Sequence, residues 1–171
     1  MPENHPLDAV ILKNGHGMSK QLPLLTGPVR VRVLMVQEEG NPVPSAIRSP
    51  ADASQYANEL RDCDREMFAV ILLTTKNAAI GLHVASVGTI DASLVSPANV
   101  FKPALLANAA AVILCHNHPS RDPTPSAEDI RITRQLVDAG KIMDIKILDH
   151  IVLGGAADQF VSLREAGLVT F

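Results

Sequence analysis

The sequence predicts a mixed α/β (α+β) fold in which a β-sheet is flanked by helices in three layers. Three observations carry this expectation. Two short runs, residues 68–74 (FAVILLT) and 110–115 (AAVILC), are apolar on both faces, which places them in the middle of a sheet. Two Ser-Pro pairs, Ser49-Pro50 and Ser96-Pro97, each supply an N-cap and a first-turn proline and so open a helix. After the second apolar run a further helix begins near Ser126, and residues 142–153 return to a stretch dense in Ile, Val and Leu.

Taken in order, residues 1–27 scatter Gly15, Gly17, Pro23 and Gly27 among polar residues and read as an arm. Residues 28–36 alternate apolar and charged through Val33, the pattern of a half-buried strand. The division that follows is an N-terminal arm with one strand over 1–45 and a main domain over 46–171. The helix opened by Ser49 is expected to reach about Leu60. The strand at 68–74 turns at Lys76-Asn77 and returns over 79–85 as a hairpin, with Val87-Gly88-Thr89 ending it or bulging from it. The helix after Ser96 runs to about Asn108, with Pro103 as a point for a bend. The strand at 110–115 ends in His116-Asn117-His118-Pro119. A Pro-rich loop over 120–125 leads into a helix from about 126 to 139, stopped at Gly140. Residues 142–153 supply one or two final strands.

Composition narrows the function without naming it. Of 171 residues, 47% are hydrophobic and only 19% charged, which excludes a mainly disordered chain. No apolar run approaches the roughly 18 residues of a membrane span, and MPENHPLDAV lacks the pattern of a secretory signal. Two cysteines, Cys63 and Cys115, are too few for a disulfide framework and suit a reducing cytoplasm. A net charge of −3, with no Trp, one Tyr and four Phe, argues against a basic, stacking groove for nucleic acid. A local patch of Arg30, Arg32, Arg131 and Arg134 stays open as a nucleic-acid contact.

The stretch that carries chemistry is His116-Asn117-His118 followed, after seven residues, by Ser126-Ala-Glu-Asp129. Histidines at i and i+2 on an extended segment share a face, so both imidazoles reach one metal ion. The intervening loop turns the chain back and lets Asp129 supply an oxygen from the first turn of a helix. Two His and one carboxylate leave a fourth position for water, the arrangement that catalytic zinc sites use. Such a site also needs a carboxylate that shuttles protons without ligating. Glu66, at the entrance to a buried strand, is one candidate; Glu59 and Asp64 serve as easily on the residues alone. The pair Ser126 and Asp129 reads equally well as a capping box, and the two histidines as polar residues where a strand meets a loop.

Several blocks in the same order carry a resemblance. They are Arg65-Glu66-Met67-Phe68, Val87-Gly88-Thr89, Val100-Phe101-Lys102, His116-Asn117-His118-Pro119-Ser120, Leu148-Asp149-His150 and Ser162-Leu163-Arg164-Glu165-Ala166-Gly167. With the pattern H-x-H-x7-S-x2-D, residues 49–171 resemble the RadC branch of the JAB/MPN metalloprotease superfamily, which carries the JAMM motif. The resemblance implies a JAB/MPN domain over 46–171 with a cytidine-deaminase-like three-layer arrangement. It also implies Zn2+ held by His116, His118 and Asp129, Glu66 as general base and acid, and Ser126 steadying the intermediate. The activity implied is hydrolysis of a peptide or isopeptide bond in a peptide or protein substrate. A zinc-binding scaffold without catalysis and a DNA-repair association are the alternatives in the same family. The helix-hairpin-helix segment of longer RadC proteins has no counterpart in the pattern of residues 1–27, so a short, standalone member is expected. Arg121 stands where that family usually has glycine, and Ala98 where an arginine often follows the proline; Arg121 is expected to narrow the mouth of the site or to offer a charge to a substrate carboxylate.

The remaining polar residues are given plain roles. Cys115 alternates away from the histidine face and is expected to be a core thiol. Asp149-His150 is expected to be a buried hydrogen-bonded pair or a support behind the ligands. His5, His16 and His83 receive no role, and Glu38-Glu39 and residues 61–65 are taken as solvated faces.

Overall fold

The computed structural model describes residues 46–88 and 95–171. The arm, the strand over 28–36, Glu38-Glu39, His5, His16, Arg30, Arg32 and Thr89 lie outside those residues.

Five strands, β1 (Met67–Leu73), β2 (Ala79–Val87), β3 (Ala111–Asn117), β4 (Lys146–Leu153) and β5 (Phe160–Ser162), form one mixed sheet in the order β2-β1-β3-β4-β5. β1 pairs antiparallel with both β2 and β3, β3 pairs parallel with β4, and β4 pairs antiparallel with β5. The expected hairpin is present, with Asn77 in its turn at a positive φ of 56°. β2 ends at Val87, the first of the two outcomes expected there, and the register shifts twice within the hairpin, between Phe68 and Ala69 and between Leu72 and Leu73.

Helices α1 (Pro50–Tyr56), α2 (Pro97–Leu106) and α3 (Ala127–Met143) cover the sheet. Strand alternation sends Phe68, Val70, Leu72, Val112 and Leu114 to one face, where they meet Val100, Phe101 and Ala104 of α2 and Ile132 and Leu136 of α3. Ala69, Ile71, Leu73, Ile113 and Cys115 point the other way, onto Ala53, Ala57 and Leu60. The result is three layers, helix, sheet and helix, as the doubly apolar runs require.

Both Ser-Pro starts hold. The Ser49 hydroxyl accepts from Asp52 N, and the Asp52 carboxylate accepts from Ser49 N, a reciprocal cap that contributes about 1 kcal/mol. The first helix is shorter than expected: α1 ends at Tyr56, and Asn58–Asp62 continues as a 3-10 helix. Leu60 and Arg61, adjacent in sequence, are both buried. Arg61 is therefore not on a solvated face. Only 7% exposed, it donates to the carbonyls of Gly154, Ala157 and Gln159 and to Ser54 Oγ, and so holds the loop after β4.

α3 runs through Gly140 to Met143 and ends at Asp144, whose φ of 54° supplies the left-handed cap. The glycine serves packing rather than termination. A Cβ there would lie 2.6 Å from the Ile145 carbonyl oxygen and 3.3 Å from Phe101 Cζ. Ile142 belongs to this helix, 85% exposed, and the final parallel strand begins at Lys146. Gly140→Ala is therefore expected to destabilise by about 1–3 kcal/mol through overpacking, although the same change in an open helix stabilises by about 1 kcal/mol. Denaturant unfolding of the variant checks the sign.

Candidate metal centre

The C-terminal end of β3 meets the N-terminal end of β1 and the first turn of α3. Phe68 pairs with His116 across the antiparallel ladder, so Glu66, two residues before Phe68, starts close to the HxH segment. Asn117 fixes that approach. Its Oδ1 accepts from Met67 N at 2.8 Å and its Nδ2 donates to Arg65 O at 3.0 Å, while Gly88 N donates to Glu66 O at 2.8 Å. The backbone is thus tied on both sides of Glu66.

Asp129 arrives from the helix. Ser126 caps α3, and its backbone N and its hydroxyl both donate to Asp129 Oδ2 at 2.7 Å. Asp129 N returns a bond to Ser126 Oγ at 3.1 Å. The capping box sets the angle from which this carboxylate approaches, and Asp129 Oδ1 lies 3.4 Å from His116 Nε2. Asp129 Oδ2 is 3.5 Å from His118 Nε2, and Glu66 Oε1 is 3.8 Å from the same nitrogen. The two histidine Nε2 atoms are 3.0 Å apart. Ligand atoms of all four residues lie within 4.8 Å of one another.

All five residues singled out from the sequence meet at this place, Ser126 through its bond to Asp129. The donor set fits a divalent cation of the zinc type: two imidazoles with neighbouring carboxylate oxygens, His116 and Asp129 buried, His118 and Glu66 partly open. Two imidazole lone pairs facing each other at 3.0 Å repel unless a proton or a cation lies between them.

The charges agree. Burial opposes the charged form of Asp129, yet the neighbouring His116 and His118 rings outweigh it and hold its carboxyl far below the usual carboxylate range. His118 is raised above the usual imidazole range, chiefly by its hydrogen bond to Asp129 and against partial burial. Its Nδ1 faces the Asp122 carbonyl at 2.6 Å, so this nitrogen carries hydrogen and Nε2 is the one turned to the cluster.

Three contributors were not read as part of the site from the sequence. Asn117 sits between the two histidines and holds the Glu66 segment. Thr133 lies four residues beyond Asp129, on the same helix face, the one sequence signal that marks it. Asp122 acts through its backbone, which no side-chain pattern reveals. The pair Asp149-His150 is split by strand alternation. His150 Nε2 stands 2.8 Å from His116 Nδ1, whereas the Asp149 carboxylate takes Ser162 Oγ and the backbone of His150 and Arg164. His150 thus stands behind His116, and Asp149 is a buried tie to the C-terminal segment. Cys115 is buried on the opposite sheet face, and burial pushes its thiol up. Arg121 takes a left-handed φ of 66°, with its stem against Gly155, and Ala98 is exposed on α2. Arg131 is paired with Glu128 through two bonds, and Arg134 donates to Leu168 O.

The mixed five-stranded sheet with three helices is consistent with an α/β fold of the JAB type. The family model for the RadC-like JAB domain matches residues 47–168, and the chain belongs to that family. It is similar to a UPF0758 protein of Desulfitobacterium hafniense (47% identity over 124 residues, 72% of this chain and 54% of the relative). A UPF0758 protein of Moorella thermoacetica is 48% identical over 126 residues, 73% of this chain and 54% of the relative. One of Desulforamulus reducens is 41% identical over 165 residues, 96% and 66% of the two chains. The chain spans about half the length of the first two. No helix among the described residues is long and apolar enough to cross a membrane.

Because the folded His118 value lies above the ordinary 6.5, this group stabilises the metal-free fold below about pH 6.5, and its contribution is lost as pH rises through the folded value. A metal must displace the same proton. Zinc affinity, read by chelator competition, is therefore expected to weaken as pH falls through that range. An affinity independent of pH there excludes His118 as a ligand.

Proposed function

We propose that this protein is a zinc-dependent amide hydrolase of the JAMM type, acting on a peptide or isopeptide bond in a reducing, cytoplasmic setting. The observation that carries the reading is the place of Glu66. A structural metal has no use for a partly open carboxylate beside a three-residue ligand set, whereas hydrolysis requires one.

His116, His118 and Asp129 would hold the ion. When bound, zinc supplies a water with a pKa of about 7 and a positive charge for the carbonyl oxygen. Glu66 takes the proton of the attacking water and later delivers it to the leaving nitrogen. The ties from Asn117 and Gly88 keep its backbone fixed between those two transfers. Ser126 donates to Asp129 Oδ2 in the resting arrangement. Rotation of the hydroxyl hydrogen about the Cβ–Oγ bond, with the oxygen left in its cap, turns it toward the carbonyl oxygen as negative charge develops there. Phe68, stacked on the His116 ring with centroids 6.1 Å apart, keeps water from the back of the ligand set.

Zinc content and hydrolysis of peptide and isopeptide libraries test this together. Glu66→Gln is expected to keep zinc and lose about 10²–10⁴-fold in kcat, while His118→Ala loses the metal. Full zinc occupancy with no turnover on either library would sink the reading. Ser126→Ala is expected to lower stability by about 1 kcal/mol through the lost cap and kcat by about 10²-fold. A stability loss with kcat unchanged leaves Ser126 as a cap only.

A further inference from the structure

A fully buried histidine and threonine stand behind the ligands, and their hydrogen bonds have a fixed direction. Thr133 Oγ1 lies 2.5 Å from the Asp129 backbone oxygen and 2.6 Å from His150 Nδ1. A carbonyl oxygen only accepts, so the threonine hydroxyl hydrogen goes to Asp129 O. The hydroxyl oxygen then faces His150 as an acceptor, and His150 Nδ1 must carry the hydrogen between them. The His150 ring has no exposed surface and lies against a hydroxyl, an imidazole and a phenyl ring, none of which balances a second proton's charge, so it holds one hydrogen only. Its Nε2 is left as a lone pair, facing His116 Nδ1 at 2.8 Å. His116 must therefore carry its hydrogen on Nδ1, and its free lone pair on Nε2 points into the ligand cluster.

We propose that Thr133 and His150 are positioning residues that lock His116 into the Nδ1–H tautomer, starting from the backbone carbonyl of Asp129. The relay ties two of the three ligands together: the residue that offers its carboxylate to the cluster also sets, through its own carbonyl, which nitrogen His116 offers. Every member is inside the protein. His116, His150 and Thr133 have no exposed surface, so water does not compete for any of these bonds. Phe68 closes the remaining side, edge-on to the His150 ring with centroids 5.3 Å apart. The inference deepens the metal-site reading and rests on it.

Thr133→Val removes the hydroxyl at nearly constant shape, and Thr133→Ser keeps it. Long-range 1H–15N spectra of the metal-free, histidine-labelled protein in mildly alkaline buffer read the tautomer directly. The wild type and Thr133→Ser are expected to show His116 as the Nδ1–H form, and Thr133→Val a mixture. By chelator competition, zinc binding is expected to weaken about 10–100-fold in Thr133→Val and to recover within a few-fold in Thr133→Ser. His150→Gln, whose amide offers both a donor and an acceptor, is expected to bind zinc more tightly than His150→Leu. A Thr133→Val protein that keeps the His116 tautomer and the wild-type zinc affinity, while melting earlier, overturns the relay and makes Thr133 a packing residue. If the wild type takes up no zinc, the metal reading fails, and the spectra of the metal-free protein still decide the tautomer.

Discussion

An imidazole without solvent contact at the end of a central strand needs a partner for both ring nitrogens, because an unmade bond there is costly. For His116 that need is met on one side by His150, from the neighbouring parallel strand, and on the other by the ligand cluster. The rest of the site follows. β4 must run parallel to β3 to bring His150 alongside, and α3 must cross over that pair to place Thr133 and Asp129. Alternation along β3 sends Asn117 to the segment before β1 while the two histidines face α3. One strand thus fixes both histidines and the Glu66 carboxylate opposite them.

Much of this was legible in the sequence because it rests on local rules. Doubly apolar runs, Ser-Pro caps and the i, i+2 spacing of the histidines need only periodicity and covalent geometry. What escaped depends on contacts far apart in the chain. Arg61 looks like a surface charge among Arg-Asp-Cys-Asp-Arg; its burial follows from carbonyls some 93 to 98 residues away. Gly140 reads as a helix stop until the return of the chain at Ile145 shows why a side chain is excluded. The fates of Asp149 and His150, side by side in sequence, are decided by which sheet face each one meets.

The loop that carries Asp122 is braced from the far side of the sheet. Arg61 gathers the carbonyls of Gly154, Ala157 and Gln159, and Gly155 N donates to Arg121 O. Arg121 N in turn donates to His118 O. A charge buried among carbonyls in the α1 layer therefore steadies the turn that orients His118. This accounts for a non-glycine residue persisting at a left-handed φ, where an L-residue costs about 1–2 kcal/mol: its stem packs against a glycine that has room for nothing else.

The parallel pairing of β3 with β4 also sets a timetable. A chain emerging from the ribosome presents its N-terminal elements first, so β1, β2 and the HxH segment are available while β4 is still to be made. His150 follows His116 by 34 residues, and β5 with its Ser162 anchor comes later still. Until then His116 has only water behind it, and either ring nitrogen takes the hydrogen. Newborn chains thus carry His116, His118 and Asp129 before they carry the strand that fixes the His116 ring.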